Sequence, residues 1–372
     1  MEILFIISLT SLVFVFAGYP FLLFVVSKLL HRPVNINITK GSDVLPKVSI
    51  IIAAYNEEKI IAEKITNTLA IDYPRENLEI IVFSDGSTDQ TDAIVSSFSN
   101  QGITLLDFGG RLGKTECQNR SVVQSIGDII IFSDANSMYD PQVIHTIVQY
   151  FSDPQVGVVC GELRYIKNEQ SQEGLYWRIE RFLKRHESMI DSCLGANGAI
   201  YALRKSLYIP LSADAISDLV EPFKIYAQGY RVIYSSEAYC TENVGATHQE
   251  FSRKRRIITR SFQSLRFIKE FFNVFEYGWY SLTFWFHKVI RWFSFVFLIT
   301  LLATNILLLN NTILLLFFIV QVCCYIFAFI GIFSRKRIFL IPYHFVTIQL
   351  ASLLATWDWI RGKRVVTWVV SR

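Results

Sequence analysis

"VSIIIAAYNEE", residues 48–58, holds a nearly unbroken run of apolar, mostly β-branched side chains that ends abruptly in Tyr55, Asn56, Glu57 and Glu58. Such a run has no polar face, so it reads as a strand buried on both sides rather than one side. Ile60, Ile61, Ile65 and Leu69 then recur at helical spacing. The arrangement appears twice more. Glu79 to Phe83 runs into Ser84-Asp85-Gly86-Ser87-Thr88-Asp89 with a helix expected from Thr91, and Asp128 to Phe132 runs into Ser133-Asp134-Ala135-Asn136. Doubly buried strands joined by helices make right-handed βαβ units, and the fold class expected is α/β with a parallel sheet. Ligands of such sheets bind beyond the carboxyl ends of the strands. Three of those ends carry oxygen-bearing side chains: Asn56 and Glu57, Asp85 and Asp89, Asp134 and Asn136.

Outward from this centre the composition changes. With 52% hydrophobic and 18% charged residues in 372, the chain is too apolar to be wholly water-soluble. Ile3 to Val26 carries no charge over about 24 residues, enough to span a bilayer at 1.5 Å per residue. It reads as a membrane helix rather than a cleaved leader, because no basic residues precede it and no small-residue cleavage site follows. Lys28, His31, Arg32 and Lys40 follow that helix and place the middle of the chain in the cytosol. The organisation expected is a membrane helix in 1–30, a linker around 35–46, a cytosolic catalytic-type domain in 45–266, and interfacial and membrane helices in 267–372. In that last part an amphipathic aromatic helix is expected near Phe267 to Lys288, with apolar spans at Trp292 to Leu309 and Ile313 to Phe333. Ile338 to Ile360 is apolar but contains His344, Gln349 and Asp358, and spans, re-enters or lies flat. The chain is therefore read as an integral protein of the plasma membrane.

The net charge of +4 is modest and concentrated beside the apolar segments, where it suits lipid headgroups better than nucleic acid. Cys117, Cys160, Cys193 and Cys240 are scattered without paired spacing, Cys323 and Cys324 sit in an apolar run, and all six are read as reduced thiols.

The two common phosphate-cradling loops, G-x-x-x-x-G-K-[ST] and G-x-G-x-x-G, are missing after the first strand. Recognition then falls to carboxylates and a cation. Asp85, before Gly86, is placed to accept hydrogen bonds from a ribose or base, although the same stretch also suits a turn and helix cap. Asp134 and Asn136 would touch Mg²⁺ or Mn²⁺ carried by a diphosphate, since such ions take one or two protein oxygens and complete their shell with phosphate. Arg111-Leu112-Gly113-Lys114 is a basic segment within reach of phosphate. Asp218 opens a helix, where it serves either the helix dipole or as a general base. Arg253, Arg256 and Arg260 share one helical face, and either meet lipid headgroups or clamp a departing diphosphate.

Taken in order, Ala54-Tyr55-Asn56-Glu57, Asp85-Gly86-Ser87-Thr88-Asp89, Asp134-Ala135-Asn136, Gly195 to Arg204, and Asp218 with Gly229 resemble the membrane-bound family 2 glycosyltransferases, which include hyaluronan, chitin, cellulose and poly-N-acetylglucosamine synthases. The resemblance extends to Gly362-Lys363 and Thr367-Trp368. It implies a GT-A fold and inverting transfer from a nucleoside diphosphate sugar, usually UDP-linked, to a saccharide or lipid-linked hydroxyl. By position it implies Tyr55, Glu57, Asp85 and Lys114 at the nucleotide, Asp134 and Asn136 at the metal, and Asp218 as catalytic base. Gly195, Asn197, Arg253 and Arg256 fall at the acceptor or diphosphate. Two departures stand out. Ser217 replaces the acid that normally precedes the base, and Arg253-Lys254-Arg255-Arg256-Ile257 replaces Q-x-x-R-W, keeping only the arginine. The second departure argues against processive synthesis. A transferase acting on a polyprenyl phosphate and a non-catalytic scaffold or channel stand as the alternatives.

Overall fold

The computed structural model describes residues 1–36, 45–166, 173–243, 247–334, 336–364 and 366. Lys40, most of the expected linker, and Thr367-Trp368 lie outside the described residues.

The chain opens with α1 (Glu2–Val13), a π-helical turn (Phe14–Gly18) and α2 (Tyr19–Leu29). Together they form a 28-residue apolar unit long enough to cross a bilayer. The α/β part follows: β1 (Val48–Ala54), α3 (Ile61–Leu69), β2 (Leu78–Ser84), α4 (Thr91–Ser97), β3 (Ile103–Asp107), α5 (Lys114–Gln124), β4 (Ile129–Asp134), β5 (Met138–Tyr139), α6 (Val143–Val148), β6 (Val156–Ile166), α7 (Glu173–Ile190), β7 (Ile200–Arg204), α8 (Ser217–Ala227) and β8 (Arg231–Asn243). Last come α9 (Thr247–Ser264), α10 (Val274–Thr283), α11 (Ile290–Trp292), α12 (Ser294–Leu307), α13 (Thr312–Ile330) and α14 (Arg337–Ile360).

The eight strands form one sheet in the order β3-β2-β1-β4-β7-β6-β8-β5. The block β3-β2-β1-β4 is parallel, as read from the buried runs. β7 instead runs antiparallel to both β4 and β6, so the α/β sheet is mixed around its parallel block. Strand direction leaves no local mark on a five-residue apolar segment, which is why the sequence did not reveal it.

The register places the site. Ala54 pairs with Ser84 and Ala53 with Asp134, so the chain leaves β1, β2 and β4 at one edge. Because β7 enters in reverse, Ile200 pairs with Ser133 and the preceding loop, Gly195 to Ala199, arrives at that same edge. Every residue of β1 is buried. Each isoleucine so covered is worth about 1.5–3 kcal/mol, and a core on both faces fixes the strand ends rigidly.

At the membrane side, the described residues contain three helical units apolar and long enough to cross a bilayer: Glu2–Leu29, Thr312–Ile330 and Arg337–Ile360. Ile338 to Ile360 is thus one continuous helix of spanning length. The span expected at 292–309 is different: α12 has 14 residues and is bent by 57° from the preceding helix. At 1.5 Å per residue it is too short to cross alone. The aromatic helix expected near 267–288 is also broken, with short 3₁₀ turns at 265–267 and 269–272 and non-helical angles at Gly278 inside α10. Polar contacts tie these parts to the rest of the chain. Tyr19 donates to Glu187 of α7 at 3.2 Å, His287 contacts Glu187 at 2.6 Å and Glu180 at 3.1 Å, and Arg255 of α9 grips Asp358 of α14 through two 2.8 Å bonds.

Candidate active site

The turns after β1 and β2 lock together. Asn56 takes a positive φ of 52° and accepts from Thr88 N–H at 2.8 Å, while Glu57 N–H donates to Thr91 Oγ1 at 2.8 Å. Asp89 accepts from Thr91 N–H at 3.0 Å, so it closes a turn and stands outside the pocket chemistry. At Gly86 the backbone comes so close to its neighbour that a Cβ would lie 2.7 Å from Gly110 O, and φ is +73°; only glycine fits.

Asp85 is fully buried just beyond β2. Its Oδ1 accepts from Leu112 N–H at 2.6 Å and Gly113 N–H at 3.0 Å, which shapes the loop leading into α5. Burial, with Asp85 beside it, pushes the Cys117 thiol up. Asp85 Oδ2 faces Arg111 Nε at 3.4 Å, and the Arg111 guanidinium lies 3.3 Å from the Tyr55 ring centroid. Tyr55, Arg111 and Asp85 are therefore joined through the Arg111 guanidinium.

The loop held by Asp85 delivers Lys114, the first residue of α5, whose ammonium pairs with Asp134 Oδ1 at the end of β4. Asp218 approaches from the other side. Its Oδ2 accepts from Gly198 N–H at 3.0 Å. A Cβ on Gly198 would lie 3.1 Å from Asp218 Oδ2 and 3.5 Å from Lys114 Nζ. Lys114, Asp134 and Asp218 thus meet around Gly198, with Asp85 buried beneath the loop that delivers Lys114.

A proline helps to build this edge. Pro222 lies inside α8 and has no N–H to give to the carbonyl four residues back, that of Asp218. The freed Asp218 oxygen accepts instead from Ala196 N–H at 2.6 Å, anchoring the Gly195–Gly198 loop. Lys184 holds the same loop from beneath, donating to Ala196 O at 2.8 Å. Gly195, with φ +65°, provides the bend, and Asn197 turns its side-chain oxygen back to Ala199 N–H at 3.3 Å.

Of the α9 arginines, Arg260 lies within reach of the Asp218 charge, while Arg255 is held by Asp358 of α14. Burial holds the Arg260 guanidinium below its usual range, with Asp218 opposing the fall, and Arg260 donates to Ala215 O at 3.1 Å. Arg256 is lowered by burial and by Arg253, and Arg253 bears on Glu242. Glu242, buried on β8, accepts from Ser137 Oγ at 2.5 Å; burial and the nearby Asp134 push its carboxyl up.

The donor set suits a hard cation. Asp134 presents a carboxylate 36% exposed at a strand end, and Asn136 is half-buried two residues on. Among the described residues no three His, Cys, Asp or Glu side chains form a closed metal cluster.

Sequence reasoning named Asp85, Lys114, Asp134, Asp218 and the arginine face; the structure joins Lys114 to Asp134, sets Gly198 against Lys114 and Asp218, and brings Arg260 within reach of the Asp218 charge. It missed the Arg111–Tyr55 stack, Gly198, Glu242, the fully buried Lys64 that donates to Ser137 O at 2.5 Å, and Glu221. The Gly195-Ala196-Asn197-Gly198 spacing was the one available signal, since paired glycines mark close approach.

Residues 49–208 match the family model of Glycosyl transferase family 2. A poly-beta-1,6-N-acetyl-D-glucosamine synthase of Staphylococcus aureus is 28% identical over 222 residues, 57% of this chain and 52% of that protein. The probable glycosyltransferase YdaM of Bacillus subtilis is 28% identical over 251 residues, 62% of this chain and 59% of that protein. The chain spans a little over half the length of these curated relatives. Among solved structures, mannosyltransferase PcManGT from Pyrobaculum calidifontis, in complex with GDP-Man and Mn2+, superposes with a TM-score of 0.76 at 20% identity, covering 97% of this chain and 99% of that one. That likeness establishes the fold, the GT-A arrangement.

Proposed function

We propose that the family 2 glycosyl transferase domain carried by residues 49–208 works, in this chain, as an inverting transferase that moves a sugar from a nucleoside diphosphate, UDP-linked, to a hydroxyl of a saccharide or lipid-linked acceptor at the membrane. The observation that carries this reading is the single pocket edge on which Lys114 pairs with Asp134 while Gly198 lies against both Lys114 and Asp218.

In this reading Asp218 takes the proton from the acceptor hydroxyl as that oxygen attacks the anomeric carbon. The Gly198 N–H and the carbonyl bond from Ala196 hold the carboxylate in place. The nucleoside displaces Arg111 from Tyr55 and bonds to Asp85 Oδ2, with Glu57 beside it. Lys114, Arg256 and Arg260 face the diphosphate and offset the charge that grows as the sugar bond breaks. Asp134 and Asn136 would hold Mg²⁺ or Mn²⁺, which when bound supplies further positive charge to the departing diphosphate.

The domain faces the cytosol of a plasma membrane in this reading, because Lys28, His31 and Arg32 follow the first membrane helix. The relative named as a poly-N-acetylglucosamine synthase supports a role in polysaccharide synthesis. The loss of the glutamine and tryptophan around Arg256 favours addition of a single sugar.

The test is purified protein in nanodiscs with a panel of radiolabelled nucleotide sugars and Mg²⁺ or Mn²⁺, followed by sizing of the product. Asp218→Asn is expected to lower transfer by roughly 10²–10⁴-fold with donor binding retained. Turnover within tenfold of the parent in that variant refutes the base assignment. Absence of transfer from every donor refutes the enzymatic reading.

A further inference from the structure

Glu221 lies three residues beyond Asp218 on α8, on the same helical face, and the reaction above does not use it. It is 2% exposed. Its Oε2 accepts the Tyr201 hydroxyl proton at 2.8 Å, and its Oε1, fully buried, has no hydrogen-bond partner. Two carboxyl groups therefore stand side by side at the end of the pocket where the diphosphate is read to sit. One reaches the pocket and is held by a backbone N–H; the other is enclosed among aromatic hydroxyls.

We propose that Glu221 is a positioning residue for donor binding, kept as a neutral acid behind Asp218 so that the diphosphate meets one carboxylate where two would repel it. The proposal rests on the reading of this pocket as the donor site. Two nearby carboxyls cannot both ionise cheaply, and the environment decides which keeps the proton. The enclosed one keeps it: burial pushes Glu221 up to about 8 and the Asp218 charge adds to the rise, while the hydrogen bond from Tyr201 and the charge of Lys114 on α5 oppose it; the Tyr208 hydroxyl donates to Asn119 Oδ1 instead. Glu116 bears on Tyr208 from the far side. No bond is made or broken at Glu221; its effect is on the field that the donor meets.

The experiment titrates UDP, with GDP in parallel, into the full chain in nanodiscs from pH 6.5 to 9.5 by calorimetry. Parent protein is expected to lose on the order of fivefold in affinity through a midpoint near 8, the scale of repulsion between one added charge and the diphosphate at high effective dielectric. Glu221→Gln, which keeps an oxygen for the Tyr201 hydroxyl, is expected to stay flat and to match the parent within threefold at pH 6.5. Tyr201→Phe removes a bond that favours the ionised form, and its midpoint should move upward. A flat parent profile, the same alkaline loss in Glu221→Gln, or an unmoved midpoint in Tyr201→Phe overturns the proposal. If Asp218→Asn retains turnover, the base reading falls while this binding response still stands, so the two fail separately.

Discussion

Gly198→Ala tests the pocket geometry with the smallest possible change. The backbone at Gly198 is compatible with alanine, and its N–H, which bonds Asp218, is kept. The added methyl carbon lies 3.1 Å from Asp218 Oδ2, nearer than all but about one in ten real contacts, but 3.5 Å from Lys114 Nζ, an ordinary distance. Asp218 must therefore retreat by a few tenths of an ångström while Lys114 stays. A misplacement of about 1 Å costs roughly 10²-fold in rate, so a third of that predicts a loss of about fivefold in kcat. Donor KM should change less than twofold, and the thermal midpoint by no more than a few degrees. Steady-state kinetics with the donor varied at saturating acceptor gives both numbers. An unchanged kcat, or a loss that falls wholly on donor KM, refutes the reasoning, because it would separate Gly198 from the base or attach it to the nucleotide side.

Other outcomes follow from the same contacts. Asn136→Asp adds a second charged oxygen beside Asp134 and should tighten Mn²⁺ binding by about tenfold, read by the paramagnetic resonance of free Mn²⁺; weaker binding would remove Asn136 from the cation. Pro222→Ala restores an N–H that competes with Ala196 for the Asp218 carbonyl, so it should lower kcat by several-fold while leaving helix content unchanged in far-UV dichroism. Folded Glu221 holds its proton up to about 8, whereas an unfolded glutamate releases it near 4.5. Across that window the folded chain binds more protons, so its stability falls as pH rises and then levels off. The contribution is on the order of 3–5 kcal/mol, and Glu221→Gln should flatten the slope of thermal midpoint against pH.

What the sequence reveals and what it conceals divide along physical lines. β1, β2 and β4 are legible because burial on both faces demands an unbroken apolar run, and their ends are legible because charge cannot continue into such a core. β3 escaped notice as a half-exposed edge strand, with Ile103 alone fully buried. Asp85, Asp134 and Asp218 were found as acids at the starts and ends of elements. Glu221 was not, since an acid in a helix reads as solvent-facing until the fold encloses it. The arginine face was seen, but not its surroundings: only the packing of α9 brings Arg260 within reach of the Asp218 charge. The Arg111–Tyr55 stack joins residues from two different loops, and no spacing along the chain announces it.

The way α9 is enclosed bears on protein production. Ile258 and Phe262 share a buried cluster with Ala351 and Ala355 of α14, while Leu194, Val220 and Phe223 pack with Phe271, Tyr280 and Phe284. A water-soluble fragment cut just before residue 267 would bare both seams at once, beside the helix that carries Arg256 and Arg260. Such a fragment is expected to clump on expression, and crystallographers pursuing a donor complex are better served by the intact chain in detergent.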